Sequence, residues 1–108
     1  MDTASTAIAY RPLGDADRLP DDYVNAYYLA DLKHRVAVAR VGGALYAFDD
    51  LVDGCPLSSG LLSGTTLMSQ CDGSLFDITN GAVLRGPATA ALRTYTVREQ
   101  DGTIEVLL

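Results

Sequence analysis

Gly42-Gly43 lies between two stretches, His34–Val41 and Ala44–Asp49, that each suit a β-strand. Adjacent glycines between strand-like runs call for a two-residue hairpin, because the tight hairpin turns need positive φ and glycine adopts it without strain. In the first run Val36 and Val38 alternate with Arg35, Ala37 and Ala39, the period of two expected for a sheet with one buried face. A second hairpin ends the sequence. There Tyr95 and Val97 alternate with Thr94, Thr96 and Arg98, Gln100-Asp101-Gly102 turns the chain, and Ile104 and Val106 alternate with Thr103 and Glu105. Asp22–Leu29 reads as a further strand, and Ala16–Leu19 before Pro20 as a single helical turn. The expected class is all-β, a small antiparallel sandwich or barrel, and 108 residues allow one domain, 1–108.

The middle of the chain differs. From Leu51 to Pro87 it holds six of the ten glycines, both cysteines and two of the four prolines, with only short strand-like pieces at Leu67-Met68 and Leu75–Asp77. A loop-rich insert over about 51–87, between sheet-forming parts at about 7–50 and 88–108, is where a small β domain carries its site. Fourteen acids against eight bases give a net charge of −6, which argues against nucleic acid as a partner. No run reaches the roughly 18 apolar residues of a membrane span, and the opening MDTASTAIAY lacks a basic n-region. A cytoplasmic setting is therefore expected, with cysteines that ordinarily stay reduced.

Three runs within and beside the insert carry a resemblance: FDD at Phe48–Asp50, CPLSSGLLSGTTL at Cys55–Leu67 and GSLFDITNGAVLRGPA at Gly73–Ala88. In this order they resemble the Rieske ferredoxins, in particular the small soluble ones that serve bacterial oxygenases, from about Pro20 to the C-terminus. The resemblance implies a Rieske-like fold whose insert holds a two-iron, two-sulfur cluster through two cysteines and two histidines. It also implies that an extra cysteine on each loop braces the cluster as a disulfide. A typical first loop, FDDxCTHxxCPLS, is here shortened to Leu51-Val52-Asp53-Gly54 between Asp50 and Cys55. The second, CxCHGSxF, is here Ser69-Gln70-Cys71-Asp72-Gly73-Ser74-Leu75-Phe76, with Ser69 at the ligand-cysteine position and Asp72 at the ligand-histidine position. By this match all four iron ligands are absent, Cys55 and Cys71 hold the bracing positions, and no cofactor and no metal are expected.

The resemblance brings Cys55 and Cys71 close, as a disulfide, as two free thiols, or in a zinc site with Asp53 and Asp72. Asp53 and Asp72, at the loop tips, are candidate catalytic carboxylates whose pKa values a shared cleft would drive apart, with Ser69 to orient a substrate oxygen. The bland reading is that both are solvated loop residues. Val52, Ser74, Phe76 and Pro87 are expected to line the pocket, Gly86-Pro87 matching the family loop that covers the cluster. His34, the sole histidine, sits between Lys33 and Arg35 and is expected to face water at a strand end. The tyrosines are expected as sheet packing.

The leading functional expectation is a redox-neutral, cofactor-independent enzyme of the cyclase, isomerase or dehydratase type, acting on a small-molecule substrate at the loop cleft. The alternative is a pseudo-ferredoxin that docks on an oxygenase or other enzyme without carrying electrons, with self-pairing into a homodimer through a sheet edge also open. A third reading keeps electron transfer, with the cluster bound unusually or its ligands removed by engineering.

Overall fold

A computed structural model describes residues 9–108, so residues 7 and 8 of the expected first sheet region lie outside the described residues. The strands are β1 (Tyr10–Asp15), β2 (Tyr23–Leu29), β3 (His34–Val41), β4 (Ala44–Asp49), β5 (Leu51–Val52), β6 (Cys55–Pro56), β7 (Leu61–Ser63), β8 (Thr66–Met68), β9 (Leu75–Asp77), β10 (Val83–Arg85), β11 (Thr94–Tyr95), β12 (Val97–Gln100) and β13 (Thr103–Leu107). All paired strands run antiparallel, in sheets ordered β1-β13-β12, β11-β4-β3-β2 and β10-β9-β8-β7, with β5-β6 as a separate ribbon. Ala16–Arg18 and Leu57–Ser59 form single 3-10 turns. No helix among the described residues is long and apolar enough to cross a membrane.

Three hairpins turn on two residues that both have positive φ: Gly42-Gly43 at 57° and 84°, Asp53-Gly54 at 51° and 78°, and Asp101-Gly102 at 52° and 80°. This is the mirror-image turn whose twist matches that of the flanking strands, and it favours glycine or aspartate. The first and third follow from the sequence pattern. The second shows that Leu51–Pro56, expected as a shortened loop, is instead a closed β-ribbon.

The central sheet departs from the one-sided pattern. Val36, Ala37, Val38 and Ala39 are all fully buried, because β3 has a core on each face. Val36, Val38 and Ala47 pack with Ile104, Val106, Ala16 and Leu19 against the first sheet. Ala37, Ala39 and Phe48 face the other way, onto Leu57, Leu67, Phe76, Ile78 and Leu92. The small alanines give room to Phe48 and Phe76, so the insert is pressed onto the central sheet by two buried aromatic rings.

The insert is also more ordered than its glycine content suggests. Its own four-stranded sheet includes β7 and β10, which carried no recognisable pattern at three residues each. Gly81 shows why glycine recurs there: at φ 81° a Cβ would lie 2.2 Å from the Leu92 carbonyl oxygen, so no side chain fits. The Leu92 N–H donates to Gly81 O at 2.8 Å, joining the insert to the segment that leads into β11.

Candidate functional site

Two hairpin tips meet at the end of the insert. The first is the β5–β6 turn, which places Val52 and Asp53 beside Cys55; the second is the segment from Ser69 to Ser74 between β8 and β9. Cys55 and Cys71 are joined in a disulfide, with Cα atoms 6.2 Å apart. The tips enclose a small cleft of about 120 Å³ bordered by Val52, Asp53, Ser69, Asp72, Phe76 and Ala88 along with the two half-cystines. Asp53, Asp72, Ser69, Val52 and Phe76 are thus brought together. Ser74 and Pro87 are not part of this lining: Ser74 is fully buried, and Pro87 is exposed, Ala88 taking the wall expected of it.

The polar groups of the second tip are used by the tip itself. Ser69, almost fully buried, closes the hairpin through its backbone, its N–H donating to Ser74 O at 2.9 Å and its carbonyl accepting the Gly73 N–H at 2.9 Å. Its hydroxyl oxygen accepts the Cys71 N–H at 3.3 Å and lies 3.4 Å from Cys55 Sγ. Asp72 Oδ1 accepts the Ser74 N–H at 2.9 Å, the turn in which an aspartate side chain stands in for a backbone carbonyl. That N–H, and then the Ser74 hydroxyl, hold the Asp72 carboxyl below its ordinary 3.8. The carboxylate is stabilised as an acceptor. Ser74 Oγ accepts the Ala88 N–H at 2.9 Å, tying the segment after Pro87 to the tip.

The first tip is anchored by Asp50, which is fully buried. Its Oδ1 accepts the Ser58 N–H at 2.7 Å, its carbonyl accepts the Leu57 N–H at 2.7 Å, and its own N–H donates to Arg35 O at 3.2 Å. Oδ2 lies 2.8 Å from Arg35 Nε, yet it accepts no hydrogen bond, so this contact is an ion pair by proximity whose N–H points elsewhere.

A second polar cluster was not expected. His34, expected in water, is half-buried, with its Nε2 2.8 Å from Asp49 Oδ1 and 2.9 Å from the Tyr95 oxygen, both within hydrogen-bond distance. The Tyr95 O–H also donates to Asp49 Oδ1. Tyr95 is therefore more than sheet packing. Burial, then the hydrogen bond and charge of Asp49, push its phenol above the ordinary 10.0, with Arg93 pulling the other way. Folding thus favours the neutral phenol, so its contribution to stability is complete below pH 10.0 and is lost as pH rises through the folded value. Tyr95→Phe is expected to remove none of the tyrosinate absorbance that the folded protein develops up to pH 10.0. A drop by one tyrosine's share would show the phenol titrating normally.

With this geometry in hand, comparison with known proteins decides the family. No family profile matches the chain. The anthranilate 1,2-dioxygenase ferredoxin subunit of Burkholderia cepacia is 31% identical over 106 residues, covering 96% of each chain. This chain belongs to the Rieske-type oxygenase ferredoxins. The ferredoxin of Sphingomonas yanoikuyae B1 superposes with a TM-score of 0.84 at 25% identity, over 93% of this chain and 99% of the other. The ferredoxin in a complex of reduced oxygenase and oxidized ferredoxin of carbazole 1,9a-dioxygenase shares the fold at a TM-score of 0.82 and 24% identity, over 91% of this chain and 92% of the other.

Within this Rieske-type ferredoxin, sequence reasoning missed Asp50, Asp49, Tyr95 and Arg93. The FDD run pointed at the two aspartates but only as a family marker. The Asp-Gly pair Asp53-Gly54, which separates Leu51-Val52 from Cys55-Pro56, was the available signal for the closed first tip.

Proposed function

We propose that this chain is a cluster-free member of its family that acts as a docking partner of a multicomponent oxygenase without carrying electrons itself. The observation that carries the reading is the tip, where both cysteine sulfurs are consumed in one disulfide on a chain that matches 96% of a ferredoxin subunit. A Rieske cluster takes two thiolates and two neutral imidazoles. The donor set at the tip is a disulfide, the buried Ser69 hydroxyl and the Asp72 carboxylate engaged with Ser74. The chain's one histidine, His34, is bonded to Asp49 and Tyr95 and does not border the cleft. Among the described residues no three His, Cys, Asp or Glu side chains converge as metal ligands would. These residues do not fit the cluster.

The docking role rests on kinship. The relatives are ferredoxin components of dioxygenases, and one of the fold neighbours is described in complex with its oxygenase. The tip does not favour a small-molecule enzyme, because its cleft of about 120 Å³ is smaller than the roughly 150 Å³ that holds a single benzene ring. Asp53 and Ser69 have conformational and hydrogen-bonding roles that account for them without a substrate.

Protein purified anaerobically from iron-replete cells tests the first half of this proposal through its optical spectrum and iron content. A colourless, iron-free, folded protein is expected, whereas a visible absorbance envelope with stoichiometric iron would overturn it. For the second half, the chain should form a complex with a purified terminal oxygenase from its own source and leave electron delivery to other components. No complex by size-exclusion chromatography, with the oxygenase intact and active, would sink the docking role.

A further inference from the structure

A second cavity, of about 330 Å³, is lined by Leu32, His34, Arg93, Tyr95, Leu107 and Leu108 and shares no residue with the tip cleft. We propose that it binds a small monocarboxylate with an apolar body, aryl or short alkyl. This reading does not depend on the docking role.

Arg93 supplies the argument for charge. Of the seven arginines in the chain, Arg11, Arg18, Arg35, Arg40 and Arg98 each lie against an acid. Arg93 has no carboxylate within ion-pair distance among the described residues, in a chain whose net charge is −6. Its guanidinium borders the cavity, and a carboxylate is the group that its planar fork of donors matches.

The surroundings are built rather than incidental. Arg93 O accepts the Asp49 N–H at 3.0 Å, and the guanidinium carbon lies 5.3 Å from the Tyr95 ring centroid. The Tyr95 ring is fixed by its O–H to Asp49, and the His34 ring by Nε2 against the same carboxylate. Asp49, whose charge would oppose an anion, is turned to these two groups and is not among the lining residues. Leu32 and Leu107 form the apolar wall. A benzene ring is held by a cavity of about 150 Å³, so a benzoate-sized molecule fits here with room for water.

The test is a titration of the nitrogen-labelled protein with benzoate, followed by amide shifts, with benzamide as the uncharged isostere. Benzoate is expected to shift the signals of Arg93, Tyr95 and Leu107 and to saturate. Benzamide should bind about ten-fold more weakly, and Arg93→Gln should weaken benzoate by about ten-fold while leaving benzamide binding and thermal stability unchanged. Arg93 is exposed, so the variant folds. Arg85→Gln, removing another arginine without an ion-pair partner among the described residues, should change nothing. Equal weakening by both variants, shifts confined to other surfaces, or failure of benzoate, cyclohexanecarboxylate and hexanoate all to saturate by roughly 10 mM would overturn the proposal.

Discussion

Replacing Arg35 with leucine is expected to destabilise the protein by about 3 kcal/mol, more than replacing its partner Asp50 with asparagine. The asymmetry follows from where each charge sits. Arg35 is 40% exposed and Asp50 not at all, so an orphaned Arg35 rehydrates, whereas an orphaned Asp50 carboxylate stays in the core. Asp50 would then keep a hydrogen bond to Oδ1 from Ser58 and have nothing at Oδ2. The exposure of Arg35 discounts the attraction between the two charges, which is why the lower end of the buried-pair range applies.

Asp50→Asn keeps the acceptor for the Ser58 N–H and removes the buried charge, at a cost of about 1–2 kcal/mol for the amide donor left facing Arg35. The two changes should therefore be non-additive. Arg35→Leu with Asp50→Asn is expected to be more stable than Arg35→Leu alone by about 1 kcal/mol, since no ion remains to be buried. Urea denaturation of the four proteins of this cycle measures the coupling. A double variant at the sum of the two single losses would mean that the pair is held by packing alone.

Much of the outer frame was legible because it is local. Gly42-Gly43 and Asp101-Gly102 announce their turns within the sequence, and the strands beside them inherit their register from those turns. The double-sided burial of β3 was hidden by Ala37 and Ala39, which a period-two reading assigns to solvent. Their small volume instead admits Phe48 and Phe76 from one side, a fact that belongs to the partner strands. Strands of three residues, such as β7 and β10, are too short for any periodicity to show.

The site divides in the same way. The tip residues could be aligned one by one because the loops are contiguous in sequence. The cluster of His34, Asp49, Tyr95 and Arg93 joins residues as many as 61 positions apart, and only the pairing of β3, β4 and β11 brings them together. Nothing local marks Arg93 as an arginine that borders a cavity with no acid beside it among the described residues.

Removing the disulfide by Cys55→Ala with Cys71→Ala is expected to cost about 3 kcal/mol, the chain-entropy value for a loop of 16 residues. For a chain of this size that lowers Tm by roughly 13 °C. The origin of the loss differs from that at Arg35. The disulfide holds together the two hairpins of the tip even in the unfolded chain, so its removal lets that chain expand and expose more surface. The denaturant slope should therefore rise, while Arg35→Leu should shift the midpoint with the slope unchanged. Reduction of the wild-type protein should reproduce both the lower midpoint and the steeper slope. The tip hydrogen bonds of Ser69, Asp72 and Ser74 do not involve a thiolate and persist after reduction. The folded reduced protein should accordingly stay colourless when offered iron and sulfide, since two thiols without imidazole partners are half of a Rieske ligand set. Assembly of a chromophoric cluster on the reduced protein, and its failure on the double alanine variant, would show that the disulfide itself is what keeps this fold from carrying electrons.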